Sequence, residues 1–177
     1  LTSSVPSEGK STISSNLAVT FALSSNRVLI IDADMRRGHL DRLFDVKNQT
    51  GLAEVLKSAD TPIDKAIQNT SIGGLDILTC GKYPENSGEL LMSPRFGNLL
   101  SQMRKRYDYV LIDCPPVLAT DDTLSLAAKA DALLFVVRSN STRTSQVKAS
   151  LGALELRGIE TQGLVLNGVS SRGPGSY

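Results

Sequence analysis

The chain has 177 residues, of which 41% are hydrophobic and 21% are charged, an ordinary composition for a globular protein with one sizeable core. Nineteen Lys and Arg residues against 18 Asp and Glu residues leave a net charge of +1, so nothing global favours binding to nucleic acid or anionic lipid. The two cysteines, Cys80 and Cys114, lack the spacing of a zinc site or a redox motif, which favours a reducing compartment over a disulfide framework.

Short aliphatic runs alternate along the chain with segments of helical period. We predict helices at residues 11–24, 51–56, 94–106, 122–128 and 142–156. We predict strands at residues 28–31, 75–78, 109–112, 133–137 and 163–166, and several of these are apolar at consecutive positions, which is typical of parallel strands covered on both faces. The alternation predicts an α/β protein with the three-layer P-loop NTPase fold and a mostly parallel sheet.

The first motif is a phosphate loop at residues 4–12. It follows the pattern G-x-x-x-x-G-K-[ST], except that a serine stands at the first glycine. Backbone N–H groups here can wrap a nucleotide β-phosphate at the positive end of a helix, while the lysine neutralises phosphate oxygens and the serine after it ligates Mg²⁺. The predicted cofactor-binding residues of this motif are Ser7, Glu8, Gly9, Lys10, Ser11 and Thr12.

The sequence around this motif gives two further expectations. The helix after the loop carries Ile13, Leu17 and Phe21 at a spacing that predicts one stripe facing the core. A phosphate loop normally follows a strand, and residues 1–3 can supply only the end of one, so we expect the sequence to be a fragment.

The second motif is the pair of aspartates that follows the strand at residues 28–31. If the chain stays extended, Asp32 and Asp34 point to the same side at the carboxyl end of the strand, where ligands of open α/β sheets bind. One carboxylate could then accept a hydroxyl proton while the other holds metal-bound water. The alternative is that Arg36 and Arg37 only form ion pairs with these aspartates.

Turn and helix signals mark the middle of the chain. Residues 81–88 are predicted to form a loop, and Pro94 stands where the first turn of a helix tolerates proline. Asp122 is a candidate N-cap of the helix that follows it.

The third motif is the strand at residues 109–112, which ends in Asp113. An aspartate at this place is typical of the second metal-site carboxylate of P-loop proteins, and all three motifs would meet at one edge of the sheet. We interpret His39 and Cys114 as structural, because His39 lacks ligand partners at a useful spacing and a strand cysteine usually packs.

The last predicted strand ends in Asn167. Its side-chain amide could bind the edge of an adenine, although Asn167-Gly168 is also an ordinary turn pair. We therefore divide the chain into a P-loop kinase domain at residues 1–169 and the start of a flexible, tyrosine-bearing tail at residues 170–177.

Together, these motifs resemble those of the bacterial tyrosine kinases of capsule and exopolysaccharide assembly. The resemblance is carried by residues 4–12, 31–37, 113–116 and 166–169, with support from residues 89–91 and 106–109. It extends essentially from end to end, and the Asp-x-Asp-x-Arg element is its most specific part.

The resemblance implies a protein-tyrosine kinase that uses ATP, yields ADP and requires Mg²⁺. Asp32 would be the base that activates the acceptor hydroxyl, and Asn167 and Arg172 would contact adenine. The catalytic residues implied by the resemblance are Lys10, Asp32, Asp34 and Asp113, and the implied metal-site residues are Ser11, Asp34 and Asp113.

The resemblance also implies partners and a location. The complete protein would form a homo-oligomeric ring at the inner face of the bacterial plasma membrane, and would regulate polysaccharide polymerisation and export. It would act with a membrane-anchored co-polymerase segment or activator and a cognate tyrosine phosphatase, and would not bind nucleic acid. Neighbouring subunits would phosphorylate tail tyrosines, so Tyr177 is the expected acceptor. Tyr107 and Tyr109 flank a buried strand, and Tyr83 is the internal competitor.

Two other functions share much of this pattern. A switch ATPase of the partitioning or septum-positioning type has a lysine five residues before the loop lysine, where this sequence has Val5. A nucleotide-gated scaffold without catalysis would not require the full set of Asp32, Asp34 and Asp113. Both features favour the kinase.

Overall fold

The computed structural model describes residues 1–169, and the predicted roles of Arg172, Tyr177 and the tail at residues 170–177 lie outside that part of the chain. The strands found there are β1 (Thr2–Ser3), β2 (Val28–Asp32), β3 (Ile67–Asn69), β4 (Leu75–Leu78), β5 (Tyr109–Asp113), β6 (Leu134–Arg138) and β7 (Gly163–Asn167). The helices found there are α1 (Lys10–Leu23), α2 (Leu40–Phe44), α3 (Leu52–Lys57), α4 (Ile63–Ala66), α5 (Ser87–Met92), α6 (Pro94–Arg106), α7 (Asp122–Ala127) and α8 (Thr144–Glu155).

The strands pair in the orders β3-β4-β2-β5 and β1-β6-β7, and every pair is parallel except β3 with β4. Backbone hydrogen bonds connect the two groups: the amino group of Leu1 donates to Ile112 O at 2.7 Å, and Cys114 N donates to Leu1 O at 3.0 Å. β1 therefore lies between β5 and β6, and β2, β5 and β1 end side by side.

Helices cover both faces of β2, which is buried at every position. Leu29 and Ile31 pack toward α3, α5 and α6, whereas Val28 and Ile30 pack toward α1 and α2. A third apolar cluster joins α7 and α8 to β6. The three-layer α/β fold with a mostly parallel sheet is confirmed. Within residues 1–169, no helix combines the length and apolar character needed to cross a membrane.

The structure corrects the predicted core face of α1. Ser14, Ala18 and Ala22 are buried, while Ile13 and Leu17 are only half-buried; Phe21 of the predicted stripe does pack against the core. Small side chains on this face let the helix axis approach the sheet closely, and a hydrophobic stripe does not reveal that preference.

Two predictions in the middle of the chain are also wrong. The residue that caps α7 is Asp121, whereas Asp122 is the first residue of the helix and its carboxylate is buried. The predicted loop at residues 81–88 ends early because α5 begins at Ser87. The first-turn position of Pro94 in α6 is confirmed.

Candidate active site

A cavity of about 650 Å³ opens where β2, β5 and β1 end. Its walls are the phosphate loop, the turn that follows β2 and the loop that follows β5, with one further arginine from the end of β6. The lining residues are Pro6, Ser7, Gly9, Lys10, Ser11, Thr12, Asp34, Arg36, Arg37, His39, Pro115, Pro116, Ala119, Thr120 and Arg138. The three sequence motifs therefore meet at one edge of the sheet.

The phosphate loop has the backbone conformation that turns N–H groups inward. Ser7 and Gly9 have φ angles of 67° and 92°, and α1 begins directly after Gly9. A Cβ atom at position 9 would lie 2.0 Å from Asn167 Nδ2, so only glycine permits this approach. The start of a helix at this loop supplies the partial positive charge that attracts phosphate.

Side chains that are distant along the sequence but adjacent in space hold this loop in place. The carboxylate of Glu8 is buried; it accepts hydrogen bonds from Val5 N at 2.9 Å and from the hydroxyl of Thr142. Asn167 Nδ2 donates to Glu8 O at 3.0 Å, and a terminal nitrogen of Arg138 donates to Ser7 O at 2.8 Å. The amide of Asn167 thus binds the loop in this structure, and its predicted contact with adenine stays a prediction.

Beneath the loop lies the contact between Ser11 and Asp113. Ser11 Oγ donates to Asp113 Oδ2 at 2.5 Å, while the buried Oδ1 atom has no hydrogen-bond partner within residues 1–169. Burial raises the pKa of Asp113, and the nearby charge of Lys10 and the bond from Ser11 oppose that rise. A buried acceptor without a partner is costly, and a cation or its water shell would satisfy it.

Asp32, which ends β2, and Asp34 have different surroundings, although the sequence predicts that both face the ligand. Asp34 lines the cavity, and its Oδ1 accepts from Arg37 N at 3.0 Å. Asp32 is fully buried and faces the turn, where its oxygens accept from Asp34 N at 3.2 Å and Leu40 N at 3.1 Å. Burial, followed by the charge of Asp113, raises the pKa of Asp32 to about 8. The chain turns directly after β2, so the expected extended geometry does not hold.

Neither arginine of this turn neutralises these aspartates. Arg36 Nε lies 3.5 Å from Asp122 Oδ2, and no ion pair of Arg37 occurs within residues 1–169. Both arginines line the cavity, as does His39, for which we predicted a structural role. With Lys10 and Arg138, the two arginines make the walls strongly cationic, which suits a polyanionic ligand.

The sequence did not reveal the places of Arg138, Ala119 and Thr120 in the cavity or the structural role of the Glu8 side chain. The sequence shows a charged residue, Glu8, inside the phosphate loop but gives no partner for it. Its partner Thr142 lies 134 positions away along the chain. No local pattern connects two such positions.

The donor set fits a hard divalent ion that retains water. No cluster of three His, Cys, Asp or Glu side chains suited to a metal occurs in the described part of the chain. Mg²⁺ seldom needs such a cage, because phosphates and water supply most of its ligands. The Ser11 hydroxyl and the carboxylates of Asp34 and Asp113 could complete its coordination.

The parallel sheet, the phosphate loop and the strand-end aspartate define a nucleotide-binding domain of the P-loop class. In agreement, a family model described as an AAA domain matches residues 7–151.

Curated and solved proteins narrow the class. The tyrosine-protein kinase etk of Escherichia coli K12 is 39% identical over 177 residues, which is 100% of this chain and 24% of that protein. The solved kinase domain of the Escherichia coli tyrosine kinase ETK superposes with a TM-score of 0.92 at 39% identity, covering 99% of this chain and 69% of that one. The chain belongs to the bacterial tyrosine kinase family.

A more distant likeness concerns the cell division ATPase MinD of Pyrococcus furiosus. Its TM-score is 0.76 at 24% identity, covering 97% of this chain and 75% of that one, which shows a shared fold. The chain spans about a quarter of the length of the curated kinases it matches.

Proposed function

We propose that this domain binds Mg-ATP and transfers its γ-phosphoryl group to a tyrosine hydroxyl. The observation that carries the proposal is the contact between Ser11 and Asp113 at the base of a cationic cavity, with one Asp113 oxygen left without a partner. Phosphoryl transfer needs positioning and charge stabilisation more than covalent chemistry, and these walls supply both. The names of the similar kinases support tyrosine as the acceptor.

We assign the residues to distinct parts of the reaction. The backbone of residues 7–12 and the ammonium group of Lys10 would hold the β- and γ-phosphates. Ser11, Asp34 and Asp113 would hold Mg²⁺, which neutralises phosphate charge when bound. Asp32 remains the proposed base; because its pKa is raised to about 8, the carboxylate form that can accept a proton grows as the pH rises toward that value. Since Asp32 faces the turn, the turn would have to shift for the acceptor to reach it, and Asp34 is the competing candidate.

A direct assay tests the activity. The protein is incubated with labelled ATP, Mg²⁺ and a tyrosine-bearing tail peptide, and phosphotyrosine is then detected. Lys10→Met should abolish both the labelling and the thermal stabilisation by Mg-ATP. Hydrolysis of ATP without any labelled tyrosine would favour a switch ATPase, and binding without turnover would favour a nucleotide-gated scaffold.

The roles of the aspartates are distinguished by comparing Mg-ATP affinity with phosphoryl transfer in single Asp→Asn variants. Asp32→Asn should leave Mg-ATP affinity within about threefold while removing transfer, because a base acts on the chemical step. Asp113→Asn should weaken the magnesium dependence of binding. If Asp34→Asn stops transfer and Asp32→Asn does not, Asp34 is the base.

The acceptor and the assembly are further parts of the proposal. Tyr177 is the proposed acceptor, phosphorylated between subunits of a ring at the inner face of the membrane, with a co-polymerase segment or activator as partner. Tyr107 is 9% exposed and its hydroxyl donates to Asp76 at 2.8 Å, which disfavours it as an acceptor. Tyr109 is 43% exposed and stacks on Phe21, so it is more accessible than its place in a strand predicts. Mass spectrometry that finds Tyr109 or Tyr83 labelled and Tyr177 unlabelled would reject this acceptor.

A further inference from the structure

One buried carboxylate near the cavity has no part in the chemistry described so far. Asp122 is the first residue of α7, its side chain is 8% exposed, and it does not line the cavity. A carboxylate withdrawn from water is unfavourable unless hydrogen bonds and an opposite charge compensate it. The partners of Asp122 therefore indicate what this position does.

Three segments meet at this carboxylate. Ser87 Oγ, at the start of α5, donates to Asp122 Oδ2 at 3.1 Å, and Arg36 Nε from the turn after β2 lies 3.5 Å from the same atom. A Cβ atom at Gly88 would lie 2.8 Å from Asp122 Oδ1, so glycine permits the close approach of α5. Asp122 is thus enclosed by a hydroxyl, a backbone and a single guanidinium.

The ion pair contributes little to stability, because the side chain of Arg36 is 56% exposed. Its consequence is geometric. The shortest contact is made by Nε; within residues 1–169, Asp122 is the one ion-pair partner of Arg36, and the guanidinium donates no hydrogen bond there. Arg36 also lines the cavity, so its guanidinium can donate to an oxyanion held there.

We propose that Asp122 is a positioning residue that holds Arg36 in place for the phosphoryl group in transit between ATP and its acceptor. This inference rests on the proposed kinase function. Binding of the ground-state nucleotide falls to the phosphate loop, so Arg36 would act mainly where charge develops during transfer. Without the carboxylate of Asp122, the long side chain of Arg36 becomes flexible, and its guanidinium is no longer held in position for the phosphoryl group.

A double-mutant cycle tests the coupling. The variants are Asp122→Asn, which keeps the shape and an acceptor for Ser87, Arg36→Gln, and the combination of both. We expect Asp122→Asn to lower the transfer rate about tenfold with Mg-ATP affinity changed less than about twofold, and to add almost nothing in the Arg36→Gln background. Asp121→Asn is the matched control, because Asp121 is exposed, adjacent and makes no side-chain cap hydrogen bond, and it should behave as the parent.

A binding measurement makes the test independent of turnover. The affinity for ADP with magnesium and aluminium fluoride, which imitates the phosphoryl group in transit, is compared with the affinity for ADP alone. Asp122→Asn and Arg36→Gln should each reduce the gain from aluminium fluoride about tenfold, without a further loss in combination. Independent, multiplying losses would overturn the inference, as would an equal loss of plain ADP binding. If the parent hydrolyses ATP but labels no tyrosine, the kinase proposal fails while this cycle still decides the role of Asp122.

Discussion

The two principal walls of the cavity are held in different ways. The phosphate loop is fastened from a distance: Glu8 reaches Thr142, and Asn167 and Arg138 reach the loop backbone. The turn after β2 is fastened mostly from nearby, because Asp32 accepts from Leu40 N eight positions away. Its longer-range contacts include the hydroxyl of Tyr83, which donates to Gly38 O at 2.7 Å, and the ion pair of Arg36 with Asp122.

This difference shows how the site is preorganised. Each wall is organised around a buried carboxylate that does not line the cavity, Glu8 for the loop and Asp32 for the turn. The carboxylates accept backbone N–H groups, so they fix the chain without occupying the space of the ligand. Because its hydrogen bonds are mostly local and these longer-range contacts are made by the exposed side chains of Arg36 and Tyr83, the turn should move with less disturbance elsewhere than the loop.

The largest effect should come from Glu8→Ala. It leaves Val5 N–H and the Thr142 hydroxyl without their buried acceptor, which should lower the free energy of unfolding by about 2–3 kcal/mol. Nucleotide affinity should fall as well, since the loop loses its long-range support. Urea denaturation and titration with Mg-ADP measure both.

Glu8→Gln is the matched control for that substitution. It keeps an acceptor oxygen and should retain most of the affinity. If the alanine variant binds Mg-ADP as well as the parent does, the loop does not depend on this carboxylate.

A smaller and more local effect is expected from Gly38→Ala. The added Cβ would lie 2.6 Å from an Asp32 oxygen, so the turn must shift, at a cost of about 1–3 kcal/mol. Transfer to tyrosine should fall more than Mg-ADP affinity does.

Gly97→Ala provides the comparison for this prediction. Gly97 lies within α6 with nothing within 4 Å of its Cβ position, so alanine there should stabilise the protein by about 0.5–1 kcal/mol. Thermal unfolding that ranks the two variants the other way would contradict the tight packing of the turn.

Removing one hydroxyl should affect the turn less. Tyr83→Phe loses the bond to Gly38 O, and because Tyr83 is 55% exposed, water partly replaces it, so about 0.5–1 kcal/mol should be lost. Hydrogen exchange should quicken at residues 34–40 and stay unchanged at residues 4–12. Equal quickening in both segments would mean that the two walls move together.

The smallest effect concerns the two thiols. Burial raises the pKa of Cys80 to about 12 and that of Cys114 to about 11, so both thiols should react slowly at pH 8 and faster as the pH rises toward those values. Mg-ADP should slow the labelling of Cys114, which follows Asp113, more than that of Cys80. Single Cys→Ser variants separate the two labelling rates. If Mg-ADP slows the labelling of Cys80 more than that of Cys114, the nucleotide does not act mainly on the segment that follows Asp113.

The sequence was most informative where function depends on backbone and strand order. Residues 4–12 and Asp113 meet at one edge of the sheet as predicted, because a phosphate loop and a strand-end aspartate have local patterns and parallel strands bring them together. The direction of Asp32 could not be predicted, because it depends on how the chain turns after β2. The cap of α7 was misplaced by one residue, since Asp121 and Asp122 are chemically equal in sequence and only packing against Ser87 separates them.

The long-range fastening of the phosphate loop has a consequence for biosynthesis. Residues 4–12 are translated before their partners at positions 138, 142 and 167, which follow 131 to 159 residues later along the chain. A ribosome must therefore add at least 131 further residues before the loop acquires the first of these supports. The nascent polypeptide thus carries the complete motif before these supports exist, so maturation of the loop follows the synthesis of the later segments and not that of its signature sequence.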